Sequence, residues 1–325
     1  MEEMSREALE FDRRARKKEM ERKRIGMCVH VLLAAAVIAA ATVFSSKIPG
    51  FGKYWFIVPF FGLFAACWVL KYAWRDYREA YKLSCVRGAL ETMFTDLYYA
   101  PFDGISDRTI SESGLIYMGD SCHVEDCIRA RYNGLYLERS DVRIQEQRQQ
   151  TQYNRYNRGE YRGKRQKNVN VTVFRGRWLI YDFKKPFRAD VQIVQKGFRC
   201  TGQQIGQNKH MDTPFKRRGL GLDTGNKHFL MYIKNSNEAF HVSKNLMDRI
   251  QKLADSVTGK LMVGFVGTEF HIAIDDNRPS LEPPYNIFLP LREDRVTKKL
   301  RGEMDSITEF IEKLQLENNL FLQED

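Results

Sequence analysis

The chain has 325 residues, of which 43% are hydrophobic and 29% charged. This balance excludes a wholly disordered protein and leaves room for one large domain or two small ones. Its 52 basic against 41 acidic residues give a formal charge of +11, which favours an anionic partner without choosing among lipid headgroup, nucleic acid and acidic protein. The six cysteines show no framework spacing. Cys28 and Cys67 fall inside apolar runs and Cys85, Cys122, Cys127 and Cys200 are scattered, so they read as free thiols of a reducing compartment.

The mean hydropathy is that of an ordinary soluble protein, but it averages a very polar remainder with a concentration of apolar residues near the N-terminus. Residues 1–24 are charged with mixed signs and are expected to form a cytoplasmic stalk that extends the first membrane helix. From Ile25 to Phe44 the chain runs twenty residues without a formal charge, enough at 1.5 Å per residue to cross about 30 Å of hydrocarbon. A second uncharged run, Tyr54 to Leu70, opens with Tyr54 and Trp55 and is closed by Trp68, Tyr72 and Trp74, the aromatic flanks of a span. Pro59 within it is tolerated as a kink. Only nine residues, Ser45 to Lys53, connect the two runs, which predicts a two-helix transmembrane hairpin over 25–73. Ala34, Ala35, Ala36, Ala39, Ala40 and Ala41 on the first helix, and Gly62, Ala65 and Ala66 on the second, supply the small surfaces for close packing. Basic residues crowd the outer flanks (Arg13 to Arg24, then Lys71, Arg75, Arg78 and Lys82), whereas the connecting loop holds only Lys47 and Lys53. Both termini are therefore expected in the cytoplasm of a multi-pass cell-membrane protein.

Residues 74–99 read as a juxtamembrane helix within a segment 74–100, ended by Pro101. From 101 to 290 the pattern is that of strands, at Gly114–Met118, Val124–Tyr132, Leu135–Ile144, Val169–Phe183, Val191–Val194, His228–Ile233, Leu261–Val266 and Phe270–Ile274. Gly267-Thr268 suits a two-residue hairpin turn. Ser243 caps a helix whose apolar face is Leu246, Met247, Ile250, Leu253, Ala254 and Val257, with Gly259 at its end. A last helix in 291–325 carries the stripe Val296, Leu300, Met304, Ile307, Ile311 and Leu314, which favours docking on the sheet or on a neighbouring helix over a coiled coil. The expected class is α+β, a transmembrane hairpin followed by a mainly antiparallel sheet with packed helices.

The chemistry-bearing patterns are sparse. Cys122-His123 and Cys127 lack the second ligand pair of a zinc site. His210, His228, His241 and His271 stand singly, and His271 on an alternating strand reads as solvent-facing. Gly219 to Gly225 has glycines but no strand before it and no helix after it, so it reads as a loop. Asp275, Asp276 and Glu282 have no partner base or nucleophile. No catalytic motif, cofactor fingerprint or metal set is found, and a non-enzyme is favoured. The segment 145–168 is the anomaly: from Arg148 to Lys167 it holds seven basic residues and three tyrosines among amides. It is expected as a flexible basic loop. Arg148, Arg155, Arg158, Arg162, Lys164, Arg165 and Lys167 are the candidate contacts to anionic lipid. RNA contact through charge and stacking is the lesser alternative, and nucleic acid is disfavoured as a partner.

The segments VEDCIRARYNGLYLERSDV at 124–142, TVFRGRWLIYDFKKPF at 172–187 and HFLMYIKNSNEAFHVSKNLMDRI at 228–250, together with FHIAI and LEPP within 270–284, resemble the bacterial domain of unknown function 3137 family. The resemblance covers most of 75–316. It implies a bacterial, membrane-anchored protein with a membrane hairpin before the domain, and it supplies no catalytic residue. Its motif positions are held here by Phe174, Gly176, Asp182, Phe183 and Phe187, and burial in a sheet is their expected role. The sequence departs from the family in having Val242-Ser243-Lys244 where relatives have Leu-Thr-Pro, and in the composition of 145–168. The expected function is a non-enzymatic binding or scaffold module held on a membrane with two spans, with a protein partner or self-association also open. The alternatives are a membrane-anchored enzyme or ligand sensor with a pocket not recognisable from sequence, and an anionic-lipid-regulated module.

Overall fold

A computed structural model describes residues 2–47, 57–132, 134–155, 161–198, 216–218, 228–234, 242–284, 286–289 and 293–322. The loop 48–53, Tyr54, Trp55, Arg158, Cys200, His210, Gly219 to Gly225 and His241 lie outside the described residues. The chain divides into two compact units, one of residues 1–93 with 281–300 and one of 94–280 with 301–325.

In the first unit α1 (Glu2–Lys47) and α2 (Ile57–Tyr81) pack together. They run antiparallel, since Arg16 of α1 reaches Leu83 and Glu91 while Lys23, further along α1, meets Asp76. The less exposed positions of α1 include Met20, Met27, Val31, Ala34, Ile38 and Ala41, and those of α2 include Gly62, Ala66, Leu70, Ala73, Tyr77 and Tyr81. These recur at threes and fours, the spacing of one helix face. The small residues Ala34, Ala41, Gly62 and Ala66 thus lie in the less exposed stripes, whereas Ala35, Ala36, Ala39, Ala40 and Ala65 are exposed. Among the described residues one helix, Glu10–Phe44, is long and apolar enough to cross a membrane, and only 6% of its apolar window is buried. The described part of the second apolar run opens α2.

A π-helical turn, Lys82–Val86, joins α2 to a short α3 (Arg87–Glu91). The expected helix over 74–99 therefore stops early. Thr92 turns its hydroxyl back on the Ala89 carbonyl at 2.7 Å, Asp96 takes a left-handed φ of 51°, and Thr95–Ala100 is strand β1. The aromatic pair Tyr98-Tyr99 fits an edge strand better than a helix.

The second unit is built on one antiparallel sheet of nine strands among the described residues: β1, β2 (Ser121–Tyr132), β3 (Leu135–Arg155), β4 (Tyr161–Asp182), β5 (Val191–Gln195), β6 (Lys216–Arg218), β7 (Phe229–Ile233), β8 (Lys260–Val266) and β9 (Glu269–Asp275), in the order β1-β2-β3-β4-β9-β8-β5-β7-β6. Gly267, at φ 58°, opens the two-residue turn between β8 and β9, where Val266 faces Glu269. The stretch Gly114–Met118 is not a strand. Gly114 and Gly119 both take positive φ, and between them Leu115 and Ile116 plug the core.

That core lies on one face of the sheet, where α4 (Asp107–Glu112) and the segment after it cover Phe174, Trp178, Ile180 and Ala273. The opposite face receives α5 (Lys244–Ser256), whose Ser243 hydroxyl accepts from the Leu246 amide at 3.1 Å. It also receives α6 (Glu293–Gln315), whose Phe310 stacks on Phe270 with ring centroids 5.7 Å apart. With both faces covered, central β9 has no solvent side. His271 is accordingly buried, accepting on Nδ1 from the Trp178 indole at 3.3 Å, against the solvent-facing reading of an alternating strand.

Candidate functional site

The segment 145–168 is the largest departure from expectation. It is not an irregular loop: β3 and β4 stay paired from Gln145 opposite Thr172 out to Arg155 opposite Tyr161. Among the described residues neither strand has a third neighbour there. The β2 pairing begins at Ser121 opposite Gln145, and the β9 pairing stops at Asp275 opposite Gly176. The result is a two-stranded ribbon running about 35 Å past the sheet, at roughly 3.4 Å per residue. Backbone pairing joins two stretches whose sequence is polar, which is why the segment reads as a loop.

Of the seven basic candidates, Arg148 is half-buried and paired to Glu146 at 3.0 Å, while Lys167 is exposed on β4. Arg155, Arg162, Lys164 and Arg165 lie on the ribbon strands, with Lys164 opposite Tyr153 and Arg165 opposite Gln152. Arg158 falls outside the described residues. The other six are thus carried on the two paired strands of the ribbon.

The motif positions have packing or turn partners instead. Phe174 is fully buried beside Trp178 and Phe198. A Cβ on Gly176 would stand 1.8 Å from the Ile274 carbonyl oxygen, so only glycine lets β4 meet β9 there. Asp182 accepts from the Lys184 amide at 2.9 Å and pairs with its ammonium. Although burial pushes the Asp182 carboxyl up, these Lys184 contacts outweigh it and hold the group below the usual range. Beyond that turn, the amides of Phe183 and Phe187 bond to Thr268 and Gly267 at 3.0 and 2.8 Å. Phe183 and Phe187 join Phe265, Phe270 and Phe321 in one aromatic cluster.

A polar seam on the α5/α6 face was missed in the sequence. Asp141 accepts from the amide and hydroxyl of Ser280 at 2.6 and 2.7 Å and lies 3.6 Å from Arg139. Arg177 pairs with Asp276 at 3.2 Å and with Glu303. Burial pushes the Asp276 carboxyl above its usual range, against the pull of Arg177. These side chains are 4–9% exposed, apart from Glu303 at 27%, and their charges meet one another, which is the arrangement of a structural network. The signal available in sequence was weak: charged residues at alternating positions 139, 141 and 177 on strands otherwise read as apolar.

Two cavities lie among the described residues. One of about 90 Å³ between α5 and α6 is lined by Arg249, Lys252, Phe310 and Lys313 among others, below the size of an ordinary small-molecule pocket. One of about 310 Å³ along α1 and α2 is lined by Arg16, Glu19, Lys23, Asp76, Glu79 and Arg87 among others, with alternating charges and no nucleophile. On β2, Cys122 packs against the core while His123 is exposed, so these neighbours point to opposite faces.

The family described as "Protein of unknown function (DUF3137)" matches residues 172–316, the span from the base of the ribbon through α6. No curated protein matches the chain. Among solved structures, the crystal structure of the mycobacterial trehalose monomycolate transport factor A, TtfA, is similar at a TM-score of 0.34 and 8% identity, over 76% of this chain and 100% of that one.

Proposed function

We propose, for a chain that belongs to the DUF3137 family of proteins of unknown function, a membrane-anchored, non-enzymatic binding module that offers its basic ribbon to an anionic phospholipid surface. In this reading α1 and α2 form a two-span hairpin, both termini are cytoplasmic by the distribution of Lys and Arg, and the sheet domain is cytoplasmic. The observation that carries the binding half is the ribbon, two strands with no third neighbour among the described residues, in a segment where the sequence concentrates seven basic residues. Each lysine or arginine near an anionic leaflet contributes about 1 kcal/mol. The anchoring half rests on the apolar, little-buried stretch of α1.

The test uses the full chain in neutral phosphatidylcholine nanodiscs, with a polarity-sensitive dye on Gln166→Cys, titrated with vesicles. Vesicles containing phosphatidylglycerol should shift the dye and neutral vesicles should not, and salt at about 0.5 M should reverse the shift. The triple variant Lys164→Gln, Arg165→Gln, Lys167→Gln should bind about 3 kcal/mol more weakly, roughly 100-fold. A response to single-stranded RNA without one to anionic vesicles refutes the lipid assignment. Topology is read separately with an impermeant thiol reagent on intact cells. Labelling of Ser46→Cys alone fits the proposal, and labelling of Asn154→Cys alone reverses it.

A further inference from the structure

Within the first unit, residues 281–284 and 286–289 lie as a strap along the helix pair. Glu282 is held by Arg78, with Nε at 2.8 and 2.6 Å from its two oxygens, and by Lys82 at 3.1 Å. Five residues on, the Ile287 carbonyl accepts from the Arg24 guanidinium at 3.0 Å and from the Cys28 thiol at 3.4 Å. Ile287 itself is buried, but the next two side chains are not: Phe288 is 58% and Leu289 60% exposed.

The height of this tip on α1 is informative. Arg24 is the last charge before the apolar run and Cys28 stands one turn inside it. The Lys23–Asp76 contact brings the same level of α2 close to Tyr72, Trp74 and Arg75. There Tyr72 meets Trp68 edge-on, and the Arg75 guanidinium lies 5.2 Å from the Tyr72 ring centroid. Amphipathic aromatics and arginines collect where headgroups meet acyl chains. On α1, Ile25, Val29 and Leu32 continue the exposed apolar surface from that level inward.

We infer that the Phe288-Leu289 tip inserts into the headgroup–acyl boundary of the bilayer, as a third point of membrane contact beside the two helices. The inference rests on the reading of α1 as a span. Its physical basis is that two large apolar side chains, fixed by hydrogen bonds at the edge of an apolar helix surface, gain by entering lipid. A polar strap would have served equally to bridge Arg78 and Arg24, so the bridging contacts leave Phe288 and Leu289 unaccounted for.

The experiment replaces Phe288, Val37 and Asp255, one at a time, by benzoylphenylalanine in the full chain. Each protein is reconstituted in phosphatidylcholine nanodiscs and irradiated, and phospholipid adducts are counted by mass spectrometry. Val37 is exposed in mid-run on α1 and Asp255 is an exposed position of α5. Adducts at 288 and 37, each roughly tenfold or more above 255, are expected for side chains at membrane depth. Adducts at 37 with only the 255 background at 288 overturn the insertion and leave the span standing. Background yield at 37 overturns the membrane reading, and the insertion with it.

Discussion

Replacing Glu282 by alanine should release the strap, and the structure sets the size of the effect. Lys82 is completely buried and Glu282 is 20% exposed, so removing the carboxylate leaves a buried ammonium with a principal counter-charge gone. Breaking a buried pair from one side costs about 3–5 kcal/mol. The lower end applies because Glu282 keeps some contact with water and is shared with Arg78. A loss of about 3 kcal/mol corresponds to roughly 100-fold faster opening. Hydrogen exchange by mass spectrometry on the full chain in nanodiscs should show amides of 281–289 exchanging about that much faster, with β8 and β9 unchanged. Lys82→Met, an apolar chain of similar length, should cost less, and combining it with Glu282→Ala should cost less than the sum, by about 1–3 kcal/mol. The pH response has a defined sign. Burial pushes the Glu282 carboxyl up, but Arg78 and Lys82 outweigh it and hold it below the usual range. Its stabilisation is therefore complete above the unfolded pKa of about 4.3 and is lost as pH falls through the lower, folded value. Strictly additive single variants, or exchange at 281–289 that stays unchanged in Glu282→Ala, would show that the ion cluster does not hold the strap.

Gly176→Ala should separate β4 from β9, since the new Cβ meets backbone at 1.8 Å. A loss at or above the roughly 1–3 kcal/mol of an overpacked core is expected in thermal unfolding, and a Tm within one degree of wild type contradicts the close approach. Phe187→Ala removes a ring 5% exposed that stacks on Phe321, with an expected cost of about 3–5 kcal/mol by denaturant unfolding. Burial pushes the Cys122 and Cys127 thiols up to about 12 and about 11. Both should therefore resist iodoacetamide at neutral pH until the sheet unfolds, and alkylation of either in the native protein, read by peptide mass spectrometry, contradicts that packing.

Elements with a strong local signature were legible from the residues. Ser243 and the apolar face behind it marked α5, the stripe through Leu300 and Leu314 marked α6, and Gly267-Thr268 marked the β8–β9 turn. The ribbon was not legible because both its faces are polar, so alternation carries no contrast. His271 was misread because only the sheet order reveals β9 as central and doubly covered. The strap could not be found at all, as its partners Arg24, Arg78 and Lys82 lie two hundred or more residues away and nothing local announces them. As for candidate residues, the sequence located the basic segment but not its extended form, and the polar seam around Arg177 emerges only when β3, β4 and β9 are side by side.

The two open edges of the ribbon have another consequence. Amides and carbonyls without a strand partner among the described residues, along some ten residues of each strand, form a template on which a second chain could add, the usual route to edge-to-edge aggregation. Lysine and arginine along such strands are gatekeepers, because two like-charged ribbons repel before their backbones can register. The basic residues here would then keep copies of the protein apart. Stripping them should leave a protein that oligomerises through its arm, visible as slow, salt-insensitive growth in particle size.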